Sequence, residues 1–301
     1  MQVATRTTTL EVEQDGPADG PAVLLIMGLA MQLVAWPEQF INTLTGAGLR
    51  VVRFDNRDCG LSQSFDQLGV PNLPLQMLRY SIGLPLHVAY SLQDMADDAA
   101  ALLDALALPA AHICGVSMGG MIAQLLAAHH PQRVASLTLA MTSSGARSLP
   151  RARWSAQAAL LHRPRSNSVD DLVQHAVHLF RVIGSPAWPA PRAELEAHLR
   201  QGIVRSVRRQ GATRQMLAIA AAPDRSQLLT RLDLPVHIIH GVDDPLIPIA
   251  HGRDLARKIP GATSEFVAGM GHDLPPPVCE RLARAIVRHV QQQAVAARTI
   301  A

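Results

Sequence analysis

Strands alternating with helices over most of the 301 residues predict an α/β fold, a mainly parallel sheet with helices on both faces and an inserted helical cap. Three observations carry that expectation. Short, almost wholly apolar runs at 22–27 (AVLLIM), 134–141 (VASLTLAM) and 234–240 (LPVHIIH) have strand length and no polar face, as strands covered on both sides do. They alternate with longer segments whose apolar residues recur three and four apart, the spacing of a helix face. Strand signals then vanish between about 143 and 229, so 1–142 with 230–301 are expected to form the core domain and 143–229 the cap.

In chain order, 6–13 (RTTTLEVE) and 22–27 read as strands separated by the turn signals Asp15-Gly16-Pro17 and Asp19-Gly20-Pro21. Trp36-Pro37 opens a helix to about Ala47, with proline in its first turn. A third strand spans 49–56 (LRVVRFDN), and in the polar loop after it Arg57 is expected to brace neighbouring loops. The prolines and glycines of 67–90 mark irregular structure before a helix over 92–106. Strand 113–116 leads into helix 118–129. Helices over 153–162, 169–183, 192–207 and 212–222 make the cap, the second capped by Ser168 with acids in its first turn. After strand 234–240 come a helix over 250–259, a last strand over 263–267 and a closing helix over 278–292.

Composition narrows the function classes. No uninterrupted apolar run approaches the ~20 residues of a membrane span, and the opening MQVATRTTTLEVEQDG lacks the apolar core of a signal peptide. A soluble, cytoplasmic protein is expected. Cys59, Cys114 and Cys279 are odd in number and scattered, which suggests neither a disulfide framework nor zinc. The net charge of +3 comes from arginines spread along the chain, and only two tyrosines could stack on bases, so a nucleic-acid partner has little support. Nucleotide-binding glycine loops are missing, so no cofactor is implied.

The chemistry centres on 111–123 (AHICGVSMGGMIA), where an apolar strand passes through Gly115-Val116-Ser117-Met118-Gly119 into a helix-forming run. A serine at such a turn exposes its hydroxyl above the sheet, and flanking glycines let strand and helix approach closely. Such a pentapeptide arises by chance in roughly one chain in ten of this length. Ser117 could equally N-cap the helix. A nucleophilic serine needs an imidazole base and an orienting carboxylate. Asp243 and Asp244 follow the strand LPVHIIH, although turns attract aspartate for backbone reasons too. His272, in the glycine-flanked loop after the last strand, can reach across the sheet. The order Ser, Asp, His suits this architecture. A backbone amide after Met27-Gly28, together with that of Met118, could bind an oxyanion; an ordinary loop glycine is the alternative.

Other histidines read as structural. His237 and His240 are three apart on a strand and face opposite sides; His129 and His130 end a helix; His175 and His178 share a helical face without a third ligand, so no metal is expected.

Taken together, LLIMGLA, RFDNRDCGLS, GVSMGG, HGVDDPLIP and GMGHDLP resemble the α/β-hydrolase superfamily in order and separation. MGLAMQLVAWPEQF, RFDNRDCGLS and GMGHDLP resemble its aclacinomycin-methylesterase-like serine esterases. The resemblance implies the α/β-hydrolase fold, a catalytic triad of Ser117, Asp244 and His272, and an oxyanion hole from the Leu29 and Met118 amides. Met27 departs from relatives that carry histidine before the glycine. The expected reaction is two-step hydrolysis of a small, hydrophobic carboxylic ester without metal or cofactor. Lactone, thioester or carbon-carbon hydrolysis and perhydrolysis are alternatives on the same triad, and a non-catalytic receptor is an alternative of another class.

Overall fold

The computed structural model describes residues 1–300, and side chains as far as residue 293. Strands β1 (Gln2–Ala4), β2 (Thr9–Asp15), β3 (Ala22–Ile26), β4 (Arg50–Phe54), β5 (Ala111–Val116), β6 (Val134–Ala140), β7 (Val236–Gly241) and β8 (Thr263–Val267) form one sheet in the order β1-β2-β4-β3-β5-β6-β7-β8. β1 and β2 pair antiparallel; from β4 to β8 every pairing is parallel. The helices are α1 (Glu38–Gly46), α2 (Leu73–Ser81), α3 (Leu92–Ala105), α4 (Met118–His129), α5 (Trp154–Leu161), α6 (Val169–Ile183), α7 (Arg192–Arg205), α8 (Arg209–Ala221), α9 (Ser226–Leu229), α10 (Ala250–Lys258) and α11 (Pro276–Ile300).

The period of two along β3 divides the core. Leu24 and Ile26 pack with Leu102 and Leu103 of α3 and Leu125 and Leu126 of α4. Val23 and Leu25 face the other way, toward Phe40 and Leu44 of α1 and Leu282 and Ile286 of α11. Every residue of β3, β5 and β7 is buried. Covered on both faces, these strands have no use for a polar alternation, which is why their sequences are apolar apart from His112, His237 and His240.

Helices α5 to α9 all lie between β6 and β7, with no strand among them. α6 and α7 share a small core of Val173, Val177 and Leu199, backed by Phe180 and Ile203. The expectation of irregular structure over 67–90 is corrected by α2. Its Asn72 cap accepts from the Leu75 amide, and Pro74 sits in the first turn, where a missing amide costs nothing. The prolines and glycines there delimit a nine-residue helix. The first strand begins at Thr9, and β1 adds a short edge strand that the sequence pattern did not announce.

At the amino-terminal ends of the parallel strands, on the α11 face, the apolar surface gives way to a polar row. His112 of β5 hydrogen-bonds Ser136 of β6 at 2.8 Å, and His237 of β7 hydrogen-bonds Thr263 of β8 at 2.7 Å. Burial, together with the neighbouring His289, pushes both rings down to about 4. Neutral when folded and free to protonate near pH 6.5 when unfolded, they make the unfolded state the better proton acceptor between those values. Stability is therefore present above pH 6.5 and is lost as pH falls toward 4, by roughly 2 kcal/mol per ring at pH 5. Urea unfolding at pH 7.5 and pH 5 checks this. His112→Asn should flatten the pH dependence; an equal slope in the variant would rule the ring out as its source.

Candidate active site

β5 ends at Val116, and the next residue, Ser117, adopts φ 54° and ψ −119°, a conformation that is strained for any residue with a side chain. Close packing around the turn holds it there. A Cβ on Gly119 would overlap the Ile26 carbonyl, and one on Gly115 would overlap the Gly119 carbonyl, so α4 can lie against β3 and β5 only with glycine at both positions. The Ser117 amide donates to the Ala140 carbonyl at 3.0 Å, and its carbonyl accepts from Thr142 Oγ1 at 2.7 Å. Its side chain makes no capping bond to α4, which removes the N-cap reading.

The hydroxyl instead lies 3.0 Å from His272 Nε2, and His272 Nδ1 lies 2.7 Å from Asp244 Oδ2. The carboxylate accepts from Nδ1–H, which leaves Nε2 to accept from the serine hydroxyl. Asp244 is 1 % exposed, and its other oxygen accepts from the Leu246 and Ile247 amides at 2.9 and 2.8 Å. Asp243 points elsewhere: its Oδ2 accepts from the Gly269 amide at 2.8 Å, bracing the loop that carries His272. His240 lies behind Asp244 and donates from Nε2 to the Ile247 carbonyl at 2.7 Å.

That histidine loop is also fixed by residues the sequence did not single out. The His272 amide donates to the Ile183 carbonyl at the end of α6, at 2.7 Å. Asp273 accepts from the Ser185 amide at 3.0 Å and from its hydroxyl, and Ser185 Oγ in turn accepts from the Gly271 amide at 2.9 Å. Burial pushes the Asp273 carboxyl above its ordinary range.

On the other side of Ser117, Gly28 comes so close that a Cβ there would sit 3.3 Å from the serine Cβ. The following amide, that of Leu29, and the amide of Met118 have no hydrogen-bond partner among the described residues. Met27 is buried, and its carbonyl accepts from Asn56 Nδ2 at 3.1 Å. Ala30, at φ 57°, donates its amide to Gln215 of α8 at 2.9 Å, and Gln215 donates onward to the Arg57 carbonyl at 2.8 Å. Gln32 donates to the Gly202 and Ser206 carbonyls, at 2.6 and 2.8 Å, at the end of α7. Asp55 joins the same contact, accepting from the Leu33 amide at 2.7 Å and from Arg205 at 2.6 Å.

Arg57 braces the neighbouring loops as expected, through two bonds to Asp98 at 2.5 and 2.6 Å, with its guanidinium against Phe65 and Tyr90. Arg214 of α8 makes a fully buried pair with Asp58, at 2.7 Å through each of two nitrogens. Taking away one member of such a pair strands a buried charge, at a cost of about 3–5 kcal/mol.

Burial holds all three thiols above their ordinary range, Cys114 and Cys279 at about 12. Thiols held protonated in this way are poor nucleophiles. No group of three or more histidine, cysteine or acidic side chains among the described residues could hold a metal ion. The arrangement as a whole is a hydroxyl, an imidazole and a carboxylate in series at the carboxyl ends of β5, β7 and β8, with two unmatched amides beside the hydroxyl.

The chain belongs to a known family: the family model described as the alpha/beta hydrolase fold matches residues 21–275. Among curated proteins the chain is similar to rhodomycin D methylesterase DauP of Streptomyces sp. (strain C5), at 30% identity over 302 residues covering 93% of each chain. It is equally similar to rhodomycin D methylesterase DnrP of Streptomyces peucetius, at 30% identity and the same coverage. Among solved structures, the enol-lactonase from Burkholderia xenovorans LB400 superposes with a TM-score of 0.70 at 20% identity, covering 97% of this chain and 100% of that one.

Proposed function

We propose that Ser117, His272 and Asp244 are the catalytic triad of this ester hydrolase, and that 143–229 form a cap domain seated on a core of 1–142 and 230–301. The observation that carries the reading is the continuous line of hydrogen bonds from Ser117 Oγ through the His272 ring to Asp244, at 3.0 and 2.7 Å. His272 removes the serine proton as Oγ attacks the ester carbonyl. The developing oxyanion rests on the Leu29 and Met118 amides, and His272 hands the proton to the departing alcohol. Water then enters, loses a proton to the same ring and releases the acid, restoring Ser117. Asp244 holds the ring in the tautomer both steps need.

The substrate is a small molecule, and the similarity to methylesterases favours the methyl ester of a bulky hydrophobic acid. No helix among the described residues is long and apolar enough to cross a membrane. A cytoplasmic setting suits three free, buried cysteines.

A panel of p-nitrophenyl esters of rising acyl length, followed by methyl esters of natural carboxylic acids with methanol release as the readout, tests the proposal. Turnover that a serine-directed fluorophosphonate abolishes, with the label found on Ser117, is the expected result. Labelling at another residue, or turnover that survives complete labelling, would remove Ser117 from the mechanism.

A further inference from the structure

Between α11 and the β7–β8 part of the polar row at the amino-terminal ends of the strands lies a cavity of about 280 Å³, at the opposite end of the sheet from Ser117. His237, Thr263, Arg288, His289 and Gln292 supply its polar lining. His289 is only 5% exposed, and its Nδ1 is buried without a hydrogen-bond partner. Such an atom is costly to leave unmet. His237 spends its Nδ1 on Thr263, and its Nε2 has no partner among the described residues. Among the described residues Arg288 belongs to no ion pair and no carboxylate lines the cavity. Every polar side chain there can donate a hydrogen bond, and one carries a fixed positive charge.

We propose that this cavity binds a small oxyanion, a phosphate or carboxylate group, held by Arg288, His289 and His237. The charged and titratable groups that line it are His237 from β7 and Arg288 and His289 from α11, with the hydroxyl of Thr263 from β8, and His112 of β5 lies near enough to His289 to feel its charge. Burial and the mutual repulsion of these groups keep the three rings deprotonated in the empty cavity. An anion reverses the repulsion, so binding draws protons onto the rings. A ligand of the folded state alone also raises thermal stability by mass action.

Thermal unfolding and isothermal titration of the full chain with sodium phosphate, and separately with sodium succinate, test the proposal at pH 7.5 and pH 6 against sodium chloride of equal ionic strength. A saturable rise in Tm beyond the chloride control is expected at both pH values, with proton uptake by the rings on binding. Arg288→Gln, at an exposed position that does not threaten the fold, should weaken binding about tenfold. His289→Gln should do the same, while ester turnover through Ser117 stays at the wild-type rate in both. Binding of phosphate alone, succinate alone or both identifies the group and supports the site. No saturable shift with either anion, or an undiminished shift in Arg288→Gln, would overturn it.

Discussion

Ser117→Ala should reduce kcat for ester hydrolysis by on the order of 10⁴- to 10⁶-fold while the protein folds as before. The size of the effect follows from what the hydroxyl does. Once it is gone, His272 has no nucleophile to activate, and only binding and oxyanion stabilisation remain. The fold should not suffer, because Oγ has no structural partner beyond His272 and makes no capping bond. Alanine meets the same backbone strain at φ 54° that serine already tolerates. Initial rates and circular dichroism on the purified variant check both halves. Wild-type-like turnover would sink the triad, and negligible turnover in both forms with ligand binding preserved would make the protein a receptor.

Asp244→Asn should lower kcat by up to ~10⁴-fold, and Asp243→Asn should leave it within a few-fold of wild type. At 244, asparagine can still accept from the Leu246 and Ile247 amides, so the turn survives. Its amide group then faces Nδ1 with protons of its own, which drives the imidazole into the tautomer that cannot accept from serine. At 243, the side-chain oxygen that meets the Gly269 amide is kept, and only charge is lost. The two variants thus differ in the tautomer they impose and not in the turn they preserve. A collapse of activity at 243 with near-normal activity at 244 would reverse the roles.

The sequence disclosed those parts of the molecule whose causes are local. The runs in β3, β5 and β7 are legible because a strand buried on both faces is mainly apolar on both. The turn at Ser117 is legible because its glycines are demanded by backbone contact within a few residues and with β3. Asp244 and Asp243 are separable in sequence by the proline that follows and by the family resemblance; in space Asp244 meets the His272 ring while Asp243 holds the Gly269 amide of the same loop.

What stayed illegible depends on partners far along the chain. Gln215 sits in a helix that carries no motif, and the amide it holds, that of Ala30, is 185 residues away. The Asp58–Arg214 pair spans 156 residues, and neither member has a neighbour in sequence that announces it. Helix α2 was hidden for a different reason. Its only buried residue is Gln76, so the helix has no apolar stripe turned toward a core for periodicity to detect.

The contacts of Gln215 and Gln32 bear on how the enzyme can move. Helices α7 and α8 are fastened to the loop after β3 at Ala30 and Gln32, next in sequence to the Leu29 amide, and to Asp55 just after β4. Were these helices to swing outward as a lid, the Ala30 amide would lose its acceptor, and the backbone that presents Leu29 would be free to relax from its left-handed turn. On the proposed mechanism an open molecule would be an unloaded spring, its Leu29 amide no longer held where charge develops on the substrate. Access and reactivity would then be phases of one cycle, and an ester that jammed the helices apart would be protected from cleavage by its own bulk.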